Sequence, residues 1–472
     1  MTVPILNGGP FFYFDTSSYI EQAAKVIRVI FPTSPLTNLP TGVAQGAQTF
    51  GAPEEDKVVF GGRSLFYGAF AYTGWSTTIW LPVVVQALTL SWLVIMLFDQ
   101  LSTPMWEVKA LLAITLVAFL SSASLFAGLI MPDIWAGFMV LALALLWAFG
   151  PRLSPRVKFA LFLIVAFAVL SHNSHFVLLA AMILFLGLLR LIRPFQFQTS
   201  RGQFTIPVLA LAVGIVGQLA YSSSVRAIYG AHLLQRPFFT AHLTDLGPGT
   251  RLMQESCPES EFALCAYADR LPVDWITFLF DAHPDVGVFA AASPSVQKAL
   301  VAEQGSFALA TLMAEPRAMI VGLAMDGIAQ LWTLSIDDVA LSHQNDTYIA
   351  ANFPDDLIDR LENTYVYNYP DVKGVLLRII QTTSLISMGF LIVWVGHRMA
   401  TGATNNDDTR ALDRVVLFLI AGLIFNALIC GVLASPYGRF QARVIWILPL
   451  VATLIFTTGP NWPRFRRIRS AS

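Results

Sequence analysis

The sequence predicts an all-α polytopic membrane protein with about nine transmembrane helices, and three observations carry that prediction. Of the 472 residues 56% are apolar and only 12% charged, with a mean hydropathy of +0.63, a balance that leaves too little polar surface for a soluble chain of this length. Nine stretches approach the roughly 20 apolar residues that a helix needs to cross about 30 Å of hydrocarbon. The basic residues between them fall on loops of one parity, as the positive-inside rule requires. Lys and Arg total 29 against 30 Asp and Glu, a net charge of -1 that shows neither a nucleic-acid footprint nor an acidic tail.

Residues 1–75 read as a first outer loop. It opens with "NGGPFFYFDTSSYIEQAAK" at 7–25, where turn residues precede a cap region, Asp15, Thr16 and Ser17, and an amphipathic helix to about Phe31. A Pro/Thr/Gly loop with "PEED" follows, and "GGRSLFYGAF" leads into the first span. Spans are expected at 76–97, 109–130, 134–150, 158–171, 176–192 and 204–224, forming the N-terminal part of the bundle within 76–224. An outer segment occupies 225–373, and spans at 374–396, 412–434 and 444–459 complete the bundle within 374–459. A basic tail, 460–472, carries "PRFRRIRS".

Orientation follows from Arg152, Arg156 and Lys158 between the third and fourth spans, from Arg190, Arg193 and Arg201 between the fifth and sixth, and from the tail. These belong on the cytoplasmic side. The first loop, the "MPD" turn at 131–133, "SHNSH" at 171–175, the 225–373 segment and "ASPYGRFQAR" at 434–443 then share the outer face. "MTVPIL" has neither a basic n-region nor a long apolar core. The expectation is an upstream start that supplies a first helix, with unaided translocation of the N-terminus as the alternative.

Within the outer segment, "AEPRAMIVGLAMDGIAQLWTLSIDD" approaches spanning length, but Asp326 at its centre favours a helix lying in the interface or packed on the bundle. Cys257 and Cys265 flank "PESEFAL" there. An oxidising compartment permits a structural disulfide between them, while an inverted topology would leave two free thiols. Cys430 lies mid-span and reads as packing.

The spans hold almost no ionisable side chains away from their ends, which counts against an ion-coupled transporter or a flippase with a polar path. Polar residues gather instead at the outer ends. Asp15 and Asp133 emerge on the same face, where one acid can serve as a general base and the other can orient the acceptor or bind a metal; each is also well placed to be no more than a helix cap. His172 and His175, three apart, can present both imidazoles to a phosphate when protonated or to a metal when neutral, or simply keep a turn hydrated. Arg439 and Arg443, four apart, can face one lipid phosphate or anchor the outer interface. Tyr13, Tyr19, Tyr67, Trp75, Trp135 and Trp446 lie near helix ends, where most aromatic residues form a headgroup belt and a few can stack on a sugar.

The order of these motifs resembles the GT-C glycosyltransferases, in particular the bacterial branch related to protein O-mannosyltransferases and aminoarabinose transferases. The likeness rests on "FDTSSYIEQA", on "GRSLFYGAF", where Arg63, Ser64 and Tyr67 follow a Gly-Arg-x-Pro-x-Tyr segment without its proline, on "MPDIWAGFMVLALALL", and on Arg439-Phe440 ahead of a Leu-Pro-rich last helix. It covers about the first 200 residues and the last outer loop. The resemblance implies a GT-C-type bundle with a helix before the first outer loop. It also implies sugar transfer from a polyprenyl-phosphate donor to the hydroxyl of a glycan, lipid or protein acceptor, in the bacterial inner membrane with the site facing the periplasm. By the same resemblance Asp15 is the base and Asp133 its partner, Arg439, Arg443, His172 and His175 hold the donor phosphate, and Arg63, Tyr67 and Tyr19 are further site candidates. No metal is expected, a divalent ion being the alternative. A polysaccharide polymerase or ligase, or a non-enzymatic export subunit, are the competing readings.

Overall fold

A computed structural model describes residues 1–30, 58–60, 63–101, 103–192, 201–336, 353, 355–401 and 407–458. The "PEED" loop, Arg193 and the basic tail fall outside these residues. The described chain is all-α apart from two three-residue strands, β1 (Val58–Phe60) and β2 (His232–Leu234), which pair in parallel.

Two short helices, α1 (Thr2–Leu6) and α2 (Thr16–Ile30), precede α3 (Leu65–Ser76), whose N-cap Ser64 accepts from the backbone N–H groups of Phe66 and Tyr67. α2 and α3 cross closely because residue 68 is glycine: a Cβ there would lie 2.6 Å from the Tyr19 carbonyl oxygen. The bundle continues through α4 (Trp80–Leu101), α5 (Trp106–Leu120), α6 (Ala123–Gly128), α7 (Ile134–Phe149), α8 (Pro155–Ser171), α9 (Asn173–Ile192) and α10 (Arg201–Tyr229). A second helical unit follows, called the outer unit because its core is separate from that of the main bundle, with α11 (Phe238–Leu246), α12 (Pro248–Ser256), a 3-10 turn (Ala263–Arg270), α13 (Trp275–Phe280), α14 (Pro294–Ala302), α15 (Gln304–Ala314) and α16 (Pro316–Gln330). α17 (Asp355–Glu362) and α18 (Tyr365–Asn368) lead back to α19 (Asp371–Thr401), α20 (Asp407–Ala434), α21 (Gly438–Ala442) and α22 (Ile447–Thr458).

Among the described residues six segments are long and apolar enough to cross a membrane: α4, α9, most of α10, α19, α20 and the stretch Gly438–Thr458 that contains α21 and α22. α15 and α16, bent by 113°, add a seventh if they count as one broken span. The expected count of about nine therefore stands at six on length and composition. The expected span at 109–130 is interrupted, because Ser121 is extended and its hydroxyl bonds both to the Val117 carbonyl and to the Ala123 N–H. α7 and α8 have 16 and 17 residues. Helices of that length rise about 25 Å, slightly short of the hydrocarbon core.

α7 is apolar on every side, as a helix buried all round must be. It packs against α4, α8 and α20 and forms the centre of the main core. The outer unit has a second core of its own, built on Leu243, Met253, Phe278, Leu300 and Phe307. The end of the 225–373 segment does not share it, since Phe353, Leu357, Leu361 and Tyr367 join the main core. α16 packs along α20, with Asp326 bonded to His242 of α11.

Candidate functional site: an arginine cluster beneath two acidic loops

Two loops are stitched together at one end of α7. Phe11 N–H donates to the Gly128 carbonyl at 2.8 Å, and Ile130 N–H to the Phe11 carbonyl at 3.0 Å. Thr16 Oγ1 adds a bond to the Ile130 carbonyl at 3.2 Å while accepting from Tyr13 N–H at 2.9 Å. These bonds hold the start of α2, with Asp15, against the 131–133 turn, with Asp133.

Asp133 occupies the N-cap position of α7, yet its side chain makes no capping hydrogen bond. The carboxylate turns instead toward the 434–443 stretch, 3.7 Å from Arg439 Nε and 3.8 Å from Arg443 Nη1. Both arginines belong to one turn of helix, with Arg443 N–H donating to the Arg439 carbonyl, so their side chains converge on the same acid. Arg443 is 1% exposed and donates from Nη2 to Asn426 Oδ1 at 2.9 Å, to Ser174 Oγ at 3.0 Å and to Cys430 Sγ at 3.4 Å. Arg439, 8% exposed, lies over the Tyr13 ring, its guanidinium carbon 3.9 Å from the centroid. Nε and Nη1 of Arg439 and Nε of Arg443 are buried with no hydrogen-bond partner among the described residues.

Asp15 forms an ion pair with Arg63, and both side chains are about one-fifth exposed, at 18% and 21%. Arg63 also faces the ring of Tyr19. Burial pushes the Tyr19 hydroxyl well above the usual tyrosine range; Arg63 and Arg439 oppose the shift and Asp15 and Asp133 reinforce it. The phenol therefore keeps its proton and can donate it in a hydrogen bond. Tyr67 lies edge-on to Tyr19, and its hydroxyl is engaged with Gln86 Oε1 at 3.2 Å. Gln86 also accepts from Trp135 Nε1 at 3.2 Å and donates to the Ala127 and Leu129 carbonyls, so Tyr67 belongs to the wall.

The two histidines stand 5.2 Å apart between ring centroids. Burial, together with the charges of Arg443, Arg439 and Arg63, holds His172 well below the usual histidine range. Ser174 N–H donates to its Nδ1 at 3.2 Å, which leaves the proton on Nε2. His175 Nδ1 faces the Ala168 carbonyl at 2.9 Å and carries the proton there, leaving Nε2 as a buried acceptor. Of the two states the sequence leaves open for His172, the neutral one fits this setting: beside three arginines it offers a hydrogen bond rather than a positive charge.

The cluster has three guanidinium groups, Arg63, Arg439 and Arg443, against two carboxylates, Asp15 and Asp133, a formal excess of one positive charge (3 − 2). Buried cations with unused donors are costly unless an anion completes them. Asp15, Asp133, Arg63, Tyr19, His172, His175, Arg439 and Arg443 all meet here. Cys257 and Cys265 do not; they are bridged to each other in the outer unit. Among the described residues no three His, Cys, Asp or Glu side chains gather as a metal site.

Of the six aromatic residues expected near helix ends, Tyr13, Tyr19, Tyr67, Trp135 and Trp446 are buried at 7% exposure or less rather than in a lipid belt, because the segments that carry them pack into the main core. Residues not anticipated are Ser174, Asn426, Tyr437 and Gln86. Asn426 and Gln86 are isolated amides within otherwise apolar spans, and such residues face the protein interior with a partner. Tyr437 sits two residues before Arg439, with its hydroxyl 3.4 Å from that of Tyr13. No protein-family model, curated protein or solved structure matches the chain.

Proposed function

We propose that this chain is a membrane glycosyltransferase of GT-C type, acting at the outer face of a bacterial inner membrane on a polyprenyl-phosphate sugar. The observation that supports this most is the pair of buried arginines with donor nitrogens left over, set beside two acids. A lipid-linked phosphate supplies the oxyanion that those donors lack, and charge-assisted contacts of this kind are the strong ones. In the reaction the acceptor hydroxyl oxygen attacks the anomeric carbon, the bond from that carbon to the phosphate oxygen breaks, and polyprenyl phosphate leaves with the electron pair. Arg439 and Arg443 stabilise the charge that develops on the leaving phosphate, an effect realised mainly in the transition state. The acceptor proton passes to Asp15, which the pair with Arg63 orients at the more open side of the cluster. Asp133 holds the two arginines together and shares their charge.

Asp15→Asn tests the assignment. Asn caps a helix about as well as Asp, within a few tenths of a kcal/mol, so the fold is kept while the base is lost. Transfer from a synthetic polyprenyl-phosphate sugar by the protein in nanodiscs should fall by about 100-fold or more. Unchanged transfer by the well-folded variant removes Asp15 from the chemistry. A polymerase or ligase acting without the two acids would give that result.

A further inference from the structure

α16 is tied at two points one helical turn apart, by Gln330 to the arginine loop and by Asp326, through His242, to the last turn of α20. Gln330, fully buried, grips Tyr437 by its backbone: Tyr437 N–H donates to Oε1 at 2.7 Å, and Nε2 donates to the Tyr437 carbonyl at 2.9 Å. Tyr437 also meets the edge of Trp275 from the outer unit, at 5.7 Å between centroids. The loop needs such a grip. Ser435 has a φ of +69°, in the left-handed region, and Gly438 lies so close to Ser335 that a Cβ would fall 2.5 Å from the Ser335 nitrogen. Arg439 follows directly, and its guanidinium sits on Tyr13, the residue whose hydroxyl meets that of Tyr437.

The second point is His242, 1% exposed. Its Nδ1 lies 3.0 Å from the Val432 carbonyl in the last turn of α20, and its Nε2 lies 2.8 Å from Asp326 Oδ2 on α16. A carbonyl can only accept, and an ionised carboxylate can only accept. Both bonds exist together only when the His242–Asp326 pair holds one proton more than neutral imidazole and carboxylate have between them. Asp245 on α11 interacts with both partners, and Asp274 at the start of α13 interacts with Asp245; α20 presents the negative end of its dipole. Arg251 of α12 and Glu315 at the α15–α16 corner form an ion pair, with Glu255 of α12 also interacting with that arginine.

We propose that Gln330 is a positioning residue for Arg439, and that the His242–Asp326 pair is a proton-requiring latch through which the outer unit holds that arginine loop in place. The proposal rests on the transferase reading only for what the loop binds; the latch itself follows from the hydrogen bonds. When the proton is lost, one of the two bonds of His242 must break, α16 loosens from α20, and the Gln330 grip on Tyr437 weakens with it.

Hydrogen exchange of the peptide spanning 435–443, measured on the full chain in nanodiscs and corrected for intrinsic rates, tests this. Protection in the wild type should drop about tenfold between about pH 6 and about pH 9, the equivalent of one charge-assisted hydrogen bond. Asp326→Asn should abolish the drop, because an amide N–H can donate to neutral His242 Nε2 while Nδ1–H still serves Val432. Gln330→Leu should lose protection at both pH values. Equal wild-type protection at both values, or a wild-type-like drop in Asp326→Asn, overturns the latch; full protection in Gln330→Leu overturns the positioning role. Adding a synthetic polyprenyl phosphate separates the two claims. A latch that behaves as described in a loop indifferent to that lipid leaves the latch standing and removes the transferase reading.

Discussion

The Asp133 carboxylate stands 3.8 Å from Arg443 Nη1, both side chains being at least 97% buried, and it is 3.7 Å from Arg439 as well. One acid thus serves two buried cations. Removing it should be far costlier than removing a cap. Asp133→Leu should destabilise the protein by about 3 to 5 kcal/mol, the usual consequence of stripping one partner from a buried ion pair. Thermal unfolding in detergent checks this, and a change of only a few tenths of a kcal/mol would return Asp133 to an ordinary helix start.

The Cys257–Cys265 bridge closes a short loop at the edge of the second core. Loop closure of this size is worth about 2 to 3 kcal/mol to the outer unit. In native membranes neither cysteine should react with a maleimide until a reductant is added, and Cys257→Ser should lower the unfolding temperature. Labelling of both without reductant would show that the bridge is absent.

His172 gives a pH dependence with a definite sign. Its folded pKa is depressed by burial and by three arginines, whereas the unfolded side chain titrates near 6.5. The stability it contributes is therefore full above that value and declines as pH falls below it, because the unfolded chain binds a proton that the folded chain refuses. His172→Gln should flatten the acid limb of the stability profile. An unchanged acid limb in that variant would show that His172 is not held neutral.

The all-α character and the helix starts that carry the candidate site were legible in the sequence, for local reasons. The Asp15 region reads as a helix start from its turn residues and hydroxyls, and α2 begins at Thr16. "MPDIWAGFMVLALALL" reads as a helix opened by an acid, and α7 runs from Ile134. What could not be read is what meets across long separations. Tyr13 and Tyr437 touch although 424 residues apart, and Ser174 reaches Arg443 across 269. The break at Ser121 escaped because a serine hydroxyl in an apolar run can bond backward along its own helix or end it, and only the packed neighbours decide. The sequence leaves His172 open between cation and neutral imidazole, because the arginines that decide it lie far away in the chain.

The central claim is that the arginine cluster binds a lipid-linked phosphate, and binding measured without turnover tests it most directly. Native mass spectrometry of the delipidated protein, titrated with a synthetic polyprenyl-phosphate sugar, should show one bound molecule in the wild type. Arg439→Ala should weaken that binding by about 1.5 to 3 kcal/mol, the worth of a charge-assisted hydrogen bond, with partial recovery in Arg439→Lys. Wild-type affinity in a correctly folded Arg439→Ala, or the same affinity for the uncharged polyprenol, would contradict the account.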